Sequence, residues 1–262
     1  MTTTLTGGPN FARVHNVLLG GKDGYNPDRL FAAELPEQFG IAVRQSRAFA
    51  HRAIEHLVCH HSLAQIVELG CGFPLASDVG TIAIRSNRTA RTLYIDNDPV
   101  VAVFGRALLV GDNIDFAEAD LADTDTIVNH ITAVMDMSTP IALCLSGTAE
   151  LLPDAPEVLG RLTNKLPPES WLVLSHLTTD TSGHQIDRAV ESLRLAGIGY
   201  YPRSHGEITT MLADYSLLDP GLVDARRWRP EIGSPDPTAC ALASVPENFS
   251  AYASVGRRSD SR

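Results

Sequence analysis

A chain of 262 residues, 44% hydrophobic and 20% charged, is long enough to bury a sizeable core and too apolar to be disordered over most of its length. Its 31 acidic side chains outnumber 21 basic ones, and the formal charge of −10 argues against a phosphate backbone as partner, because that affinity needs clustered Lys and Arg. No apolar run approaches the ~18 residues of a membrane span, MTTTLTGGPN lacks a leader's basic-then-apolar pattern, and four cysteines without a CxxC pair (Cys59, Cys71, Cys144, Cys240) fit a reducing compartment, so a soluble cytoplasmic protein is expected.

Residues 10–19 form a short semi-apolar segment that stops at Gly20-Gly21, and Asn26-Pro27 breaks the chain again before Asp28 to Glu34. Phe49, Ala50, Ala53, Ile54, Leu57 and Val58 share one face at helical spacing, which predicts a helix from about Ser46 to His60. Residues 1–62 thus read as an N-terminal arm and helical cap, with 63–262 as the α/β domain of one structural unit. From there β-type runs at 65–69, 91–95, 114–118, 140–145 and 170–175 alternate with helical stretches near 76–85, 98–109, 124–134 and 154–165. That alternation specifies right-handed βαβ units and a parallel sheet covered on both faces. Ser204-His205-Gly206-Glu207 is a capping box opening a helix through Tyr215. Two strand-like runs, about 216–227 and 251–256, flank a loop with Pro230, Pro235 and Pro237 and predict an antiparallel hairpin at the sheet edge. The short basic clusters Arg226, Arg227, Arg229 and Arg257, Arg258 read as solvated strand and tail residues.

Ligands on such sheets bind at the carboxyl ends of the strands, so the chemistry should follow each strand. The first ends in Glu68-Leu69-Gly70-Cys71-Gly72-Phe73-Pro74, where two glycines allow a sharp turn and close backbone approach. A dinucleotide fingerprint would place a third glycine where Leu75 stands, and this disfavours an NAD-dependent oxidoreductase. The second strand ends in Asp96-Asn97-Asp98-Pro99, with Asp96 24 residues past Gly72, where a carboxylate can accept both hydroxyls of a ribose. The third ends in Glu118-Ala119-Asp120-Leu121, whose Asp120 can accept from an adenine amine while Leu121 offers its N–H. Such acids also serve as plain helix N-caps, and Asp123 and Asp125 read that way.

Three matching strand ends in order resemble the class I S-adenosylmethionine-dependent methyltransferases, whose first motif is acid-x-Gly-x-Gly. Within them the chain resembles the actinobacterial DUF574 group over nearly its whole length. The segments that carry this are Ala12-Arg13-Val14 with Leu18-Leu19-Gly20-Gly21-Lys22-Asp23, the Glu68–Pro74 turn, Tyr94-Ile95-Asp96-Asn97-Asp98-Pro99-Val100, Leu174-Ser175-His176-Leu177 and Pro220-Gly221-Leu222-Val223. The resemblance implies a Rossmann-like doubly wound sheet of seven strands, with S-adenosylmethionine as cofactor and S-adenosylhomocysteine as product. Glu68, Gly70, Cys71 and Gly72 would then surround the methionine part, Asp96 and Asn97 the ribose, and Asp120 and Leu121 the adenine. Ser146 and Lys22 would complete the cofactor site, with the Gly-Gly-Lys-Asp arm as a lid.

The group usually carries Tyr-Asp-Tyr at His15-Asn16-Val17 and a His-His pair at Glu150-Leu151, both on the acceptor side. The candidates to touch an acceptor are therefore His176, Glu150, His15 and Tyr25, with His205 better read as a first-turn residue of its helix. His56, His60 and His61 have metal-like spacing but no third ligand set around them, so a solvated helix end and no metal are expected. The leading expectation is methyl transfer to O or N of a small molecule, with specialised metabolism as its setting. The alternative is a protein that uses the same cofactor for non-methylating chemistry or as a binding module.

Overall fold

The chain begins with three helices, α1 (Phe11–Leu18), α2 (Asn26–Glu34) and α3 (Glu37–His61). Strands and helices then alternate: β1 (Gln65–Leu69), α4 (Val79–Ser86), β2 (Arg91–Asp96), α5 (Pro99–Leu108), β3 (Ile114–Glu118), α6 (Thr124–Val134), β4 (Ala142–Ser146), a 3-10 turn (Ala149–Leu151), α7 (Ala155–Thr163) and β5 (Trp171–Leu177). After α8 (Gly183–Leu195) and α9 (His205–Met211) come β6 (Tyr215–Leu217), β7 (Val223–Asp224) and β8 (Ala251–Arg258). This computed structural model describes residues 8–181, 183–232 and 251–259; Pro235, Pro237 and Cys240 lie outside the described residues.

The sheet order is β3-β2-β1-β4-β5-β8-β6, with β7 on β8. β1 to β5 are parallel, and β8 lies antiparallel between β5 and β6, with Trp171 opposite Arg257 and Leu177 opposite Ala251. The antiparallel C-terminal strands stand as expected, but the run over 216–227 splits into β6 and β7, so the sheet has eight strands rather than seven. Pro220 offers no N–H to a ladder and Gly221 sits at φ 83°, so pairing cannot continue through them.

Successive side chains of the buried strands enter opposite layers, because their period is two. Ile66, Cys144 and Val173 join the cluster formed with α3, α4 and α8, whereas Val67, Leu143, Leu172 and Leu174 pack with α6, α7 and α9. α3 supplies Phe39, Phe49, Ile54 and Leu57, all fully buried, and each contributes about 1.5–3 kcal/mol. The helix expected from Ser46 starts instead at Glu37, behind Pro36. Its first turns bury Gly40, Gln45 and Ser46 beside apolar residues, which erases the one-sided pattern there. α8 was not expected, although Ile186, Ala189 and Leu193 are its buried face at i, i+3 and i+7.

Candidate active site

Strand order reverses between β1 and β4, and the carboxyl ends of these two strands open a crevice. In the loop after β1, Gly70 and Gly72 have φ of 65° and 67°, in the left-handed region. A Cβ on Gly70 would meet Thr148 Cγ2 at 2.2 Å, whereas Gly72 faces open space, so Gly72 is where a ligand can approach the backbone. Asp96 holds this loop: the Gly72 N–H donates to its Oδ2 at 2.8 Å and the Asp98 N–H to its Oδ1 at 3.0 Å. Burial raises the Asp96 pKa above the usual carboxylate range, against the pull of those N–H groups.

The arm folds across this crevice. Asn10 caps α1 through its Oδ1, sends its Nδ2 to Asp98 Oδ2 at 2.7 Å and its backbone N–H to Asp28 Oδ1 at 2.9 Å. Asp28, fully buried, also pairs with Arg13 Nε at 2.7 Å and accepts the Tyr25 N–H at 2.8 Å. Asn16 organises the following turn, its Oδ1 accepting the Asp23 N–H at 3.1 Å and its backbone carbonyl accepting the Gly21 N–H at 2.8 Å.

Three neighbouring cavities with shared lining residues result. A cleft of about 280 Å³ runs from the Asp96–Asp98 turn and Asp120-Leu121 to Ser146–Thr148, roofed by Asn10, Phe11, Ala12 and His15. A narrow passage shares His15, Gly70 and Ser146 with it and is lined further in by Glu68, Cys71 and Arg47. The passage shares Leu19, Arg47 and Leu75 with a third cavity of about 560 Å³, bounded by α3, the Gly20–Asp23 turn and Pro74–Ser77. Glu68 is 2% exposed; its Oε1 accepts from Arg47 Nη1 at 2.5 Å, and its Oε2 is buried without a partner. Burial, with Asp78 and Asp96 nearby, raises the Glu68 pKa although the Arg47 guanidinium pulls it down.

Nine residues expected around a cofactor, Glu68, Gly70, Cys71, Gly72, Asp96, Asn97, Asp120, Leu121 and Ser146, therefore line the cleft or the passage, and Lys22 lines the third cavity. Of the acceptor-side candidates, His15 stands at the joint between cleft and passage. Glu150, His176 and Tyr25 line none of these three cavities. Glu150 turns inward, and its Oε1 accepts the Leu177 N–H at 2.6 Å. His176 Nδ1 lies 2.8 Å from the Leu177 carbonyl and Nε2 lies 3.0 Å from Arg203 Nη1; a guanidinium can only donate, so the ring proton is assigned to Nδ1. Arg203 donates in turn to the carbonyls of Ala149, Leu152 and Pro153. These bonds tie the wall of the cleft to the end of β5. Tyr25 is 52% exposed and packs its ring on Arg13.

His205 opens α9 and meets the Tyr252 ring edge-on at 5.0 Å. The expected solvated histidine end of α3 is corrected at His56, which is 7% exposed against Trp228, while His60 and His61 are exposed. Among the described residues no group of His, Cys, Asp and Glu is arranged to hold a metal. The sequence reading missed Asn10, Phe11 and Ala12 in the roof, and Arg44, Arg47 and His51 on α3. Asn10 ahead of a short apolar run was a readable N-cap signal; the α3 residues had none, because their neighbours come from elsewhere in the chain.

Burial and the Arg47 charge push the His15 pKa down to about 4, and burial with Arg47, Arg52 and Arg85 nearby pushes His51 down to about 3. Both imidazoles are neutral above pH 6.5 in folded and unfolded chains alike, so their contribution to stability is complete there. As pH falls below 6.5, the unfolded chain takes up protons that the folded one refuses, and stability is lost down to the folded pKa. At about 1.4 kcal/mol per unit, a loss of about 3 kcal/mol is expected at His51 by pH 4, and less at His15, whose pKa is lowered less. Urea unfolding from pH 7 to 4 should show a shallower decline for His51→Gln than for the wild type; parallel curves would remove His51 from this account.

The cavities fit an adenosyl amino-acid sulfonium. A buried acid at the end of β2 suits a ribose, a glycine without neighbours suits close ligand approach, and the orphaned Oε2 of Glu68 awaits a donor such as an ammonium. A family model described as S-adenosyl methyltransferase matches residues 3–259. A DUF574 family protein from Streptomyces avermitilis is 24% identical, with a TM-score of 0.87 over 96% of this chain and 98% of that one. A solved structure from Thermobifida fusca is 31% identical, with a TM-score of 0.85 over 96% of this chain and 95% of its own. An S-adenosylmethionine-dependent methyltransferase from Mesorhizobium loti shares the fold at 16% identity, with a TM-score of 0.55 over 81% of this chain and 98% of its own. Comparison with proteins of curated function finds no match. With a family match running almost end to end, and with strand-end acids and glycines gathered around one crevice, the chain belongs to the S-adenosyl methyltransferase family and uses S-adenosylmethionine as its cofactor.

Proposed function

We propose that the protein methylates an oxygen or nitrogen atom of a small molecule. The observation that carries this reading is the joint at His15, Gly70 and Ser146, where the nucleoside-sized cleft meets the passage to Glu68. In this reading Asp96 holds the ribose, Asp120 and Leu121 the adenine edge, and the free oxygen of Glu68 the amino group. When bound, the cofactor supplies an electrophilic methyl on a sulfonium. His15, kept neutral by burial and by Arg47, can accept a hydrogen bond from the attacking group without adding a second positive charge at that joint. The roof of α1 limits water and holds the partners in line. A small acceptor also suits an acidic chain whose Arg226 pairs with Asp224 and whose Arg258 donates to the carbonyls of Thr163 and Leu166.

Titration calorimetry tests the assignment: S-adenosylhomocysteine should bind saturably, one per chain, and NAD should not. Saturable NAD binding with no response to S-adenosylhomocysteine would overturn it. The lid role expected of the arm is a separate proposal. Its start is pinned by Asn10 and Asp28, so any hinge lies at Gly20-Gly21, where Gly20 takes φ 82°. Hydrogen exchange in peptides covering Gly20 to Tyr25 should slow at saturating S-adenosylhomocysteine; equal rates with and without it would mean the arm is no lid.

A further inference from the structure

The third cavity, about 560 Å³ in size, shares Leu19, Arg47 and Leu75 with the passage, and most of its wall is not used by the site described so far. Its polar lining is mainly cationic in a chain whose formal charge is −10. Arg44, Arg47 and His51 follow one face of α3 at i, i+3 and i+7, Lys22 comes from the turn opposite, and Asp23 is the one acid among the lining residues. Arg44 Nη1 donates to the Leu18 carbonyl at 3.2 Å, and among the described residues neither Arg44 nor Lys22 pairs with a carboxylate. Two lining nitrogens are buried without any partner: Nε of Arg47, and Nε2 of His51, a residue only 7% exposed. Buried polar atoms are seldom left without a partner, because their desolvation is then uncompensated. The group that satisfies forked guanidinium donors is a planar anion. The remaining wall is apolar, from Leu19, Ala48, Pro74 and Leu75.

We propose that this cavity is a carboxylate-recognition site built by Lys22, Arg44, Arg47 and His51, and that its ligand is an organic acid with an apolar body. The inference rests on the methyl-transfer reading only for the molecule that carries the carboxylate. That molecule is the acceptor; the cofactor's own amino-acid carboxylate is the competing outcome of the test. The size of the cavity, larger than the cleft assigned to the nucleoside, favours an acidic acceptor anchored here beside the Arg47 and Leu19 wall that it shares with the passage.

Calorimetry on the full chain, with wild type, Arg44→Gln and Lys22→Gln, separates the sources. The probes are S-adenosylhomocysteine, 5′-methylthioadenosine, which lacks the amino-acid end, and benzoate added to the S-adenosylhomocysteine complex with benzamide as its neutral control. For an acidic acceptor, benzoate but not benzamide binds the wild-type complex, both variants weaken benzoate at least tenfold, and Arg44→Gln leaves S-adenosylhomocysteine within twofold. For the cofactor's carboxylate, the variants weaken S-adenosylhomocysteine at least tenfold and leave 5′-methylthioadenosine unchanged. The first result supports the proposal; the second assigns the cationic cluster to the cofactor's own carboxylate and overturns it. Variants that leave both S-adenosylhomocysteine and benzoate within twofold of wild type, or that weaken 5′-methylthioadenosine equally, overturn the proposal. If S-adenosylhomocysteine fails to bind even the wild type, the cofactor assignment of this site falls. The carboxylate site then stands or falls on benzoate binding to the free protein and its loss in Arg44→Gln.

Discussion

Asp96→Ala should weaken S-adenosylhomocysteine binding at least tenfold, about 1.4 kcal/mol, and should also cost about 1–3 kcal/mol of stability. Two losses combine. The carboxylate is the acceptor proposed for the ribose hydroxyls, and charge-assisted bonds are the stronger kind. It also receives the Gly72 and Asp98 N–H groups, so its removal frees the loop whose shape forms the cleft. Asp96→Asn keeps the shape with one acceptor oxygen and should fall between wild type and Ala in both measurements. Calorimetry for affinity and urea unfolding for stability check this. A folded Asp96→Ala protein with wild-type affinity would remove the residue from the cofactor site.

Arg47→Met should be the more destabilising change, by about 3–5 kcal/mol, because it leaves the Glu68 carboxylate buried and unpaired. Glu68→Gln added to it should recover at least half of that loss, since the uncompensated charge is then gone. The pH dependence supplies a second signature. Burial already holds the folded pKa of Glu68 above its ordinary value, and loss of Arg47 raises it further. The penalty is therefore full above that raised pKa and is relieved as pH falls through it towards the unfolded value of about 4.5, where folded Glu68 gains its proton first. Urea midpoints of Arg47→Met relative to wild type should converge as pH falls. A difference that stays constant from pH 8 to 4.5 would show that lost packing of the Arg47 stem, not the stranded charge, causes the loss.

Much of the frame was legible because its signals act over a few residues. Asp123 before Thr124 starts α6 where the pattern places it, with Asp123 Oδ1 accepting the Thr126 N–H at 3.1 Å. Apolar neighbours such as Ile66-Val67, Leu93-Tyr94-Ile95 and Ala142–Leu145 announce strands buried on both faces. Glycines and acids just beyond strands are readable for the same reason, and Gly70, Gly72, Asp96 and Asp120 do meet around one crevice.

Direction was not legible where it depends on which side of a short turn a residue occupies. Glu150 follows β4 as expected, yet the 3-10 turn buries it against Leu177, 27 residues away, instead of presenting it to the cleft. The Arg47–Glu68 pair and the Asn10–Asp98 bond join residues 21 and 88 apart, and α3 brings Arg44, Arg47 and His51 to a cavity whose other wall belongs to β1's loop and the arm. By itself the sequence determined most element types from β1 to β5, the parallel sheet and the residues at the strand ends, because propensity, periodicity and capping are local free energies. Only the tertiary structure decided which buried charges are paired and which donors are left unmade, because desolvation is set by whatever the rest of the chain packs against them.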